Sequence, residues 1–235
     1  MGDLILPCLS KKMTQLLPHV EVETNDNPTA SVIWLHGLGA DGHDFEPIVE
    51  QLSLPKDAAI RFIFPHAPSL PVTINNGAVM PAWYDILEMS IEREVDETQL
   101  KISSASIIDF INHEISRGIK SERIIIAGFS QGGAVAFDVA LSFPKRLAGL
   151  LALSTYFATK DSVEFNNINQ EMPIQIHHGD YDAVVPIVLG NESHKLLLSK
   201  GYPVNLKTYA MEHSVCAQQI ADLSQWFIDT LQLEE

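Results

Sequence analysis

A serine flanked by glycines stands where a strand pattern changes to a helix pattern. The segment Gly-Phe-Ser-Gln-Gly covers residues 128–132, with Ser130 at its centre, directly after an apolar run at residues 124–127. On a sharp turn from strand to helix, a serine projects its hydroxyl out of the sheet, and the glycines prevent collisions with nearby backbone. Ser130 is therefore a candidate nucleophile. The alternative is that the pentapeptide arose by chance or only tightens the turn.

A serine nucleophile needs a base and a residue that orients the base. His213 is the only one of the nine histidines that follows the last strand candidate, at residues 204–209. Asp180 and Asp182 follow an earlier strand candidate, at residues 174–177. Side chains at the carboxyl ends of parallel strands meet at one edge of a sheet, so either acid could orient His213. For Asp180 the competing interpretation is a turn former or helix cap. The order serine, acid, histidine is the one that the α/β-hydrolase fold uses.

A glycine-rich turn follows the first strong strand pattern. It reads His-Gly-Leu-Gly-Ala at residues 36–40. The backbone amides of Leu38 and Gln131 could both point at a carbonyl oxygen that gains negative charge during attack by Ser130. The alternative is a tight turn without a catalytic role.

His36 and His43, with Asp41 and Asp44 between or beside them, could also be read as a metal-binding loop. The rest of the chain offers no complementary cluster of cysteine or histidine, so we expect no metal site. Serine chemistry of this kind requires no metal and no organic cofactor.

Short apolar runs alternate with helix patterns from residue 31 onward. Strand candidates are residues 31–35, 59–64, 123–129, 147–153, 174–177 and 204–209. Helix candidates are residues 98–118, 131–143, 187–200 and 217–231. Most of the strand candidates are continuously apolar, as expected for a largely parallel sheet with helices on both faces. The pattern predicts an α/β architecture.

Residues 68–97 interrupt this alternation with three prolines and an Asn-Gly turn pair. Loops this long in compact domains are usually functional or disordered, and the aromatic and methionine content argues against disorder. The apolar residues of this excursion are Val79, Met80, Trp83, Ile86, Leu87 and Met89. We expect them to cover the apolar part of a substrate, and for Trp83 the alternative is packing in the core. Partial exposure of this segment would also favour a homodimer, because contiguous apolar patches often mark interfaces.

Charge and composition exclude several classes of protein. A net charge of −15 argues against nucleic acid and anionic membrane surfaces as partners. No apolar stretch approaches the roughly 18 residues that a membrane span needs, so stable membrane insertion is not expected. Cys8 and Cys216 are too few for a disulfide framework, and the chain begins with an acid where a signal peptide needs positive charge. We expect a cytoplasmic protein with free thiols.

Five blocks of sequence resemble the carboxylesterase and acyl-protein thioesterase family, and small bacterial carboxylesterases in particular. The blocks are residues 35–42, 82–85, 128–133, 178–186 and 211–216. The resemblance implies the α/β-hydrolase fold, with a mostly parallel central sheet and helices on both faces. It begins at about residue 31. We therefore expect one domain at residues 31–235, a loop or lid-like excursion at about 68–97, and an N-terminal extension of unknown role at 1–30.

The resemblance also implies roles for individual residues. Ser130, Asp182 and His213 would form a catalytic triad, which favours Asp182 over Asp180. Leu38 and Gln131 would supply the oxyanion amides. The family's tryptophan-containing segment borders its acyl pocket, and we expect Trp83, Met80 and Leu87 to bind the acyl chain.

The expected function is a serine esterase that hydrolyses short to medium acyl carboxylic esters through an acyl-enzyme intermediate. Its partner would be a small acyl ester or a lipid-like substrate. Acyl-protein thioesterase or lysophospholipase activity is the alternative within the resemblance. A ligand-binding protein that keeps the fold without turnover is a rival of a different class. Cys216, close to His213 in sequence, is an alternative nucleophile that does not lie on a strand-to-helix turn.

Overall fold

A computed structural model describes residues 15–90 and 93–234 of the chain. The strands within these ranges are β1 His19–Glu23, β2 Ala30–Leu35, β3 Ile60–Pro65, β4 Ser69–Val72, β5 Ala78–Pro81, β6 Ile86–Glu88, β7 Glu94–Val95, β8 Ile124–Phe129, β9 Gly149–Leu153, β10 Ile174–Gly179 and β11 Val204–Tyr209. The α-helices are α1 Glu97–Ser116, α2 Gln131–Ser142, α3 Ile187–Ser199 and α4 Ala217–Leu231.

Seven strands form one central sheet in the order β1-β3-β2-β8-β9-β10-β11. All neighbouring strands are parallel except β1, which runs antiparallel to β3 at one edge. All residues of β2, β3, β9 and β10 are buried, as expected for strands that are covered on both faces. The predicted α/β-hydrolase fold is confirmed.

The two faces of the sheet bury separate hydrophobic clusters. On one face, α1, α2 and α3 contribute residues such as Phe110, Phe137 and Leu197. On the other face, α4 contributes Leu223 and Phe227, together with a 3-10 segment, Glu46–Gln51. Because helices cover both faces, the strands lie between two packed layers, and their carboxyl ends form one edge of the sheet.

The N-terminal boundary expected at residue 31 needs correction. Residues 1–14 lie outside the described ranges, but β1 pairs with β3 along its whole length, so the described part of the sheet begins at His19. Ion pairs add to this pairing: Arg61 Nε lies 2.8 Å from Glu23 Oε1 and Arg117 Nη1 lies 2.6 Å from Glu21 Oε1. The two glutamates of β1 thus form ion pairs with an arginine on β3 and with an arginine at the end of α1.

The excursion at residues 68–97 contains two small antiparallel hairpins, β4–β5 and β6–β7. Between them, the chain passes into the core at Trp83 and Tyr84, which have no exposed surface. The segment is therefore anchored in its middle, while Val79, Leu87 and Met89 on the hairpins are exposed. Among the described residues, no helix combines the length and apolar character that crossing a membrane requires.

Candidate active site

Ser130 occupies a strained turn between β8 and α2. Its backbone has φ 54° and ψ −121°, a conformation that a non-glycine residue adopts only where its surroundings impose it. The amide of Ser130 donates to the Leu153 carbonyl at 2.9 Å, and Thr155 Oγ1 donates to the Ser130 carbonyl at 2.6 Å. These bonds from the end of β9 hold the turn, and no pattern in the sequence indicates this role of Thr155.

The flanking glycines allow the close approach that this turn requires. A Cβ on Gly128 would lie 2.4 Å from the carbonyl oxygen of Gly132, and a Cβ on Gly132 would lie 2.5 Å from that of His36. Both distances are too short for a side chain. The start of α2 can therefore lie directly against the loop after β2.

His213 and Asp182 meet at the carboxyl edge of the sheet. His213 Nδ1 lies 2.7 Å from Asp182 Oδ2, and since a carboxylate only accepts, the ring nitrogen must be the donor. This bond leaves Nε2 of His213 as the nitrogen that can accept a proton. Asp180, the rival acid, is exposed. The ring of His213 also lies against Phe129, the residue before Ser130, with ring centroids 4.7 Å apart.

Asp182 is fixed from three sides. Its Oδ1 accepts from the amides of Val184 at 2.9 Å and Val185 at 2.7 Å. Burial raises the pKa of Asp182, but the bonds from His213 and the Val185 amide outweigh burial, so its pKa lies below the ordinary value. The carboxylate thus stays charged beside the imidazole.

The buried side chain of His178 contacts the loop that carries Asp182. Its Nε2 donates to the Val185 carbonyl at 2.7 Å and lies 3.6 Å from Asp182 Oδ2. The side chain is fully buried, and burial lowers the pKa of His178, which favours the neutral ring. No pattern in the sequence assigns this supporting role to His178.

The two predicted oxyanion donors flank Ser130. Gln131 is the first residue of α2, and a Cβ on Gly37, next to Leu38, would lie 3.4 Å from Cβ of Ser130. Within the described part of the chain, the amides of Leu38 and Gln131 have no hydrogen-bond acceptor. Unpaired amides beside a nucleophile are what an oxyanion site requires.

The histidine that begins this loop has a structural role. His36 Nδ1 donates to the Gly37 carbonyl at 2.7 Å, and its Nε2 accepts from the Ala67 amide at 3.1 Å. Burial lowers the pKa of His36. Both ring nitrogens are used, so none remains for a metal, and no three metal-ligating side chains converge anywhere in the described residues.

Trp83 joins the two segments that carry the predicted oxyanion donors. Its Nε1 donates to the His36 carbonyl at 2.9 Å, and its amide donates to Gln131 Oε1 at 2.8 Å. Gln131 Nε2 in turn donates to the Tyr84 carbonyl at 2.6 Å. All four residues are buried. The excursion therefore fixes the Gln131 side chain and the loop that carries Leu38.

This burial corrects the expectation that Trp83 binds the acyl chain. Trp83 is 0% exposed, and its indole N–H donates to the His36 carbonyl from within the core. Met80 is half-buried, and its sulfur would lie 3.8 Å from a Cβ on Gly39. Leu87 is 40% exposed on the β6–β7 hairpin. Substrate contact by Met80 and Leu87 stays a prediction.

A cavity of about 360 Å³ opens beside His213. It lies between the segment at residues 44–51 and the loop and helix start at residues 213–220, and Phe129 forms part of its wall. Of the residues that the structure describes, none from 68–97 lines it.

The sheet, the Ser130 turn and the His213–Asp182 pair define the class as an α/β-hydrolase. Within that class, the chain belongs to the phospholipase/carboxylesterase family, whose sequence model matches residues 17–232. The predicted family resemblance is confirmed. The family comprises esterase and thioesterase hydrolases, so the chain is a member of a hydrolase family.

Similar proteins include a curated fungal relative and two solved structures. Acyl-protein thioesterase 1 of Neurospora crassa is 39% identical over 214 residues, which cover 86% of this chain and 87% of the relative. The structure of Zea mays acyl-protein thioesterase 2 superimposes with a TM-score of 0.80 at 26% identity, over 92% of this chain and 99% of that one. The Bacillus cereus carboxylesterase structure has a TM-score of 0.75 at 17% identity, over 92% and 96% of the two chains, which shows a shared fold.

Proposed function

We propose that this chain is a serine hydrolase that cleaves acyl esters through a covalent acyl-enzyme. Ser130 is the nucleophile, His213 the general base and acid, and Asp182 the residue that orients His213. The amides of Leu38 and Gln131 bind the oxyanion. The observation that carries the proposal is the strained turn at Ser130 together with the 2.7 Å bond from His213 Nδ1 to Asp182.

The reaction follows from these positions. His213 Nε2 takes the proton of Ser130 Oγ as that oxygen attacks the carbonyl carbon of the substrate. The carbonyl oxygen gains negative charge and is stabilised by the two amides. When the tetrahedral intermediate collapses, the alcohol or thiol leaves with the proton held by His213. Water then repeats the sequence on the acyl-enzyme and releases the carboxylic acid.

The substrate class has two candidates. Short to medium acyl carboxylic esters need only the triad and the oxyanion amides. Thioester cleavage uses the same residues with a thiol as leaving group, and it is favoured by the relative named acyl-protein thioesterase 1, which aligns with most of this chain. We propose activity on both ester classes, with a preference for thioesters.

Hydrolysis of a matched panel tests the proposal. Butyryl, hexanoyl and decanoyl esters and the thioesters of the same acids would be compared at equal concentration, for the wild type and for Ser130→Ala. We expect turnover of both classes by the wild type and a loss of more than about a thousandfold in Ser130→Ala, which keeps its melting temperature. A folded wild type that binds these compounds without hydrolysing them would instead identify a non-catalytic ligand-binding protein.

A further inference from the structure

The cavity beside His213 has both apolar and polar side chains in its wall. The apolar ones are Phe45, Pro47, Ile48, Phe129, Val215 and Ile220, and the polar ones besides His213 are Asp44, Gln51 and Ser214. The aromatic rings form a continuous surface, since the ring centroid of Phe129 lies 5.4 Å from that of Phe45 and 4.7 Å from that of His213. The catalytic base is therefore part of the wall.

The proposed chemistry decides which part of a substrate reaches this cavity. In the second half of each displacement, the leaving oxygen or sulfur takes its proton from His213. The leaving atom must then lie within hydrogen-bonding distance of the imidazole, and the group attached to it extends past the His213 side of the site. The acyl chain is the other substituent of the carbonyl carbon.

We propose that this cavity binds the leaving-group half of the substrate, an alcohol or thiol with an apolar body and no negative charge. The inference rests on the proposed function. Apolar walls gain from burying an apolar leaving group, and a volume of about 360 Å³ falls at the lower end of the range for small-molecule sites. The carboxylate of Asp44 and the net charge of −15 oppose an anionic leaving group.

Four substrates with one acyl group test the assignment. Methyl and benzyl hexanoate differ in the size of the leaving group, and the hexanoyl thioesters of benzyl thiol and 4-carboxybenzyl thiol differ in its charge. Each rate would be divided by the rate of hydroxide-catalysed hydrolysis, so that the intrinsic quality of the leaving group cancels.

Filling the cavity should slow the hydrolysis of esters with a large leaving group more than that of esters with a small one. Val215 is half-buried, and Val215→Trp would occupy the space beside His213. We expect the ratio of kcat/KM for benzyl over methyl hexanoate to fall at least tenfold in this variant. An unchanged ratio in a variant with a normal melting curve would overturn the assignment.

Charge reversal supplies a second test that does not depend on repacking. Asp44 and Glu50 are both exposed, but only Asp44 lines the cavity. We expect Asp44→Lys to raise kcat/KM for the 4-carboxybenzyl thioester about fivefold relative to the benzyl thioester, and Glu50→Lys, with the same change in net charge, to alter this ratio less than twofold. Equal effects of the two variants would overturn the assignment. Failure of the wild type to hydrolyse any of the four compounds would instead refute the proposed function.

Discussion

Asp182 and Asp180 are two residues apart, yet only one of them meets His213. Asp182 is buried with its oxygens fully engaged by His213 and two backbone amides, whereas Asp180 faces solvent. A carboxylate in this position holds the imidazole in the tautomer whose Nε2 accepts a proton. The role of the acid therefore depends on a single hydrogen bond to Nδ1.

Replacing this acid by its amide should reveal the difference. We expect Asp182→Asn to lower kcat by about three to four orders of magnitude, because an amide can donate to Nδ1 and favour the wrong tautomer. Asp180→Asn should stay within about threefold of the wild type. The measurement is steady-state hydrolysis of a short ester by both variants, and equal losses would remove Asp182 from the proposed role.

Residue types and chain order were enough to propose Ser130 and His213 and to narrow the acid to Asp180 or Asp182, but they did not predict the position of Trp83. A large apolar residue in a long excursion is equally consistent with a pocket wall and with the core. The choice depends on His36 and Gln131, which approach Trp83 from 47 and 48 residues away in sequence. No local pattern contains that information, and the same is true of Thr155.

The indole hydrogen bond of Trp83 should support catalysis from a distance. We expect Trp83→Phe to lower kcat about tenfold and to leave KM within threefold, because the substitution removes the hydrogen bond to the His36 carbonyl in the loop that carries Leu38. The loss should be equal for acetyl to decanoyl esters. Trp34→Phe is the matched control. Trp34 is also buried, and among the described residues its indole nitrogen has no hydrogen-bond partner. A loss that grows with chain length in Trp83→Phe would restore the acyl-pocket interpretation.

At the scale of elements, the sequence predicts the parallel strands and the helices to within a few residues. The reason is that strands covered on both faces are continuously apolar, and α4, predicted at 217–231, ends where its apolar stripe ends. The edge strand β1 was missed. Its sequence His-Val-Glu-Val-Glu alternates polar and apolar residues, and the ion-pair partners of its two glutamates, Arg61 and Arg117, follow much later in the chain.

Strand β10 carries a buried titratable group outside the site. Burial lowers the pKa of His177 to about 3, against an ordinary histidine value of about 6.5. Its ring accepts from Gln175 Nε2 at 3.0 Å and lies 3.3 Å from the hydroxyl of Tyr209 on β11. Between these two pKa values the unfolded chain binds a proton that the folded chain excludes, so stability falls as the pH is lowered through this window.

The variant His177→Gln should reduce this acid sensitivity. The contribution of one such group is about 1.4 kcal/mol per pH unit, so on going from pH 7 to pH 5 the wild type should lose about 2 kcal/mol more unfolding free energy than the variant. Urea unfolding at both pH values measures the difference. The exposed His113→Gln should behave like the wild type, and identical pH dependence of wild type and His177→Gln would contradict the buried neutral state.

For the whole molecule, local periodicity predicted the α/β class, and the resemblance of five sequence blocks predicted the family. A homodimer, a cytoplasmic location and the absence of nucleic-acid partners stay predictions. They concern surfaces and other molecules, and the exposed side chains Val79, Leu87 and Met89 on the hairpins only indicate where a partner would gain apolar contact.

Covalent trapping can show whether Ser130 is the nucleophile. The protein would be treated with a fluorophosphonate, and the modified residue located by mass spectrometry of the digested chain. We predict one adduct per chain on the peptide that contains Ser130, no adduct in Ser130→Ala, and unchanged labelling in Cys216→Ser. Labelling of Ser130→Ala at the wild-type rate, or an adduct on Cys216, would contradict the proposed mechanism.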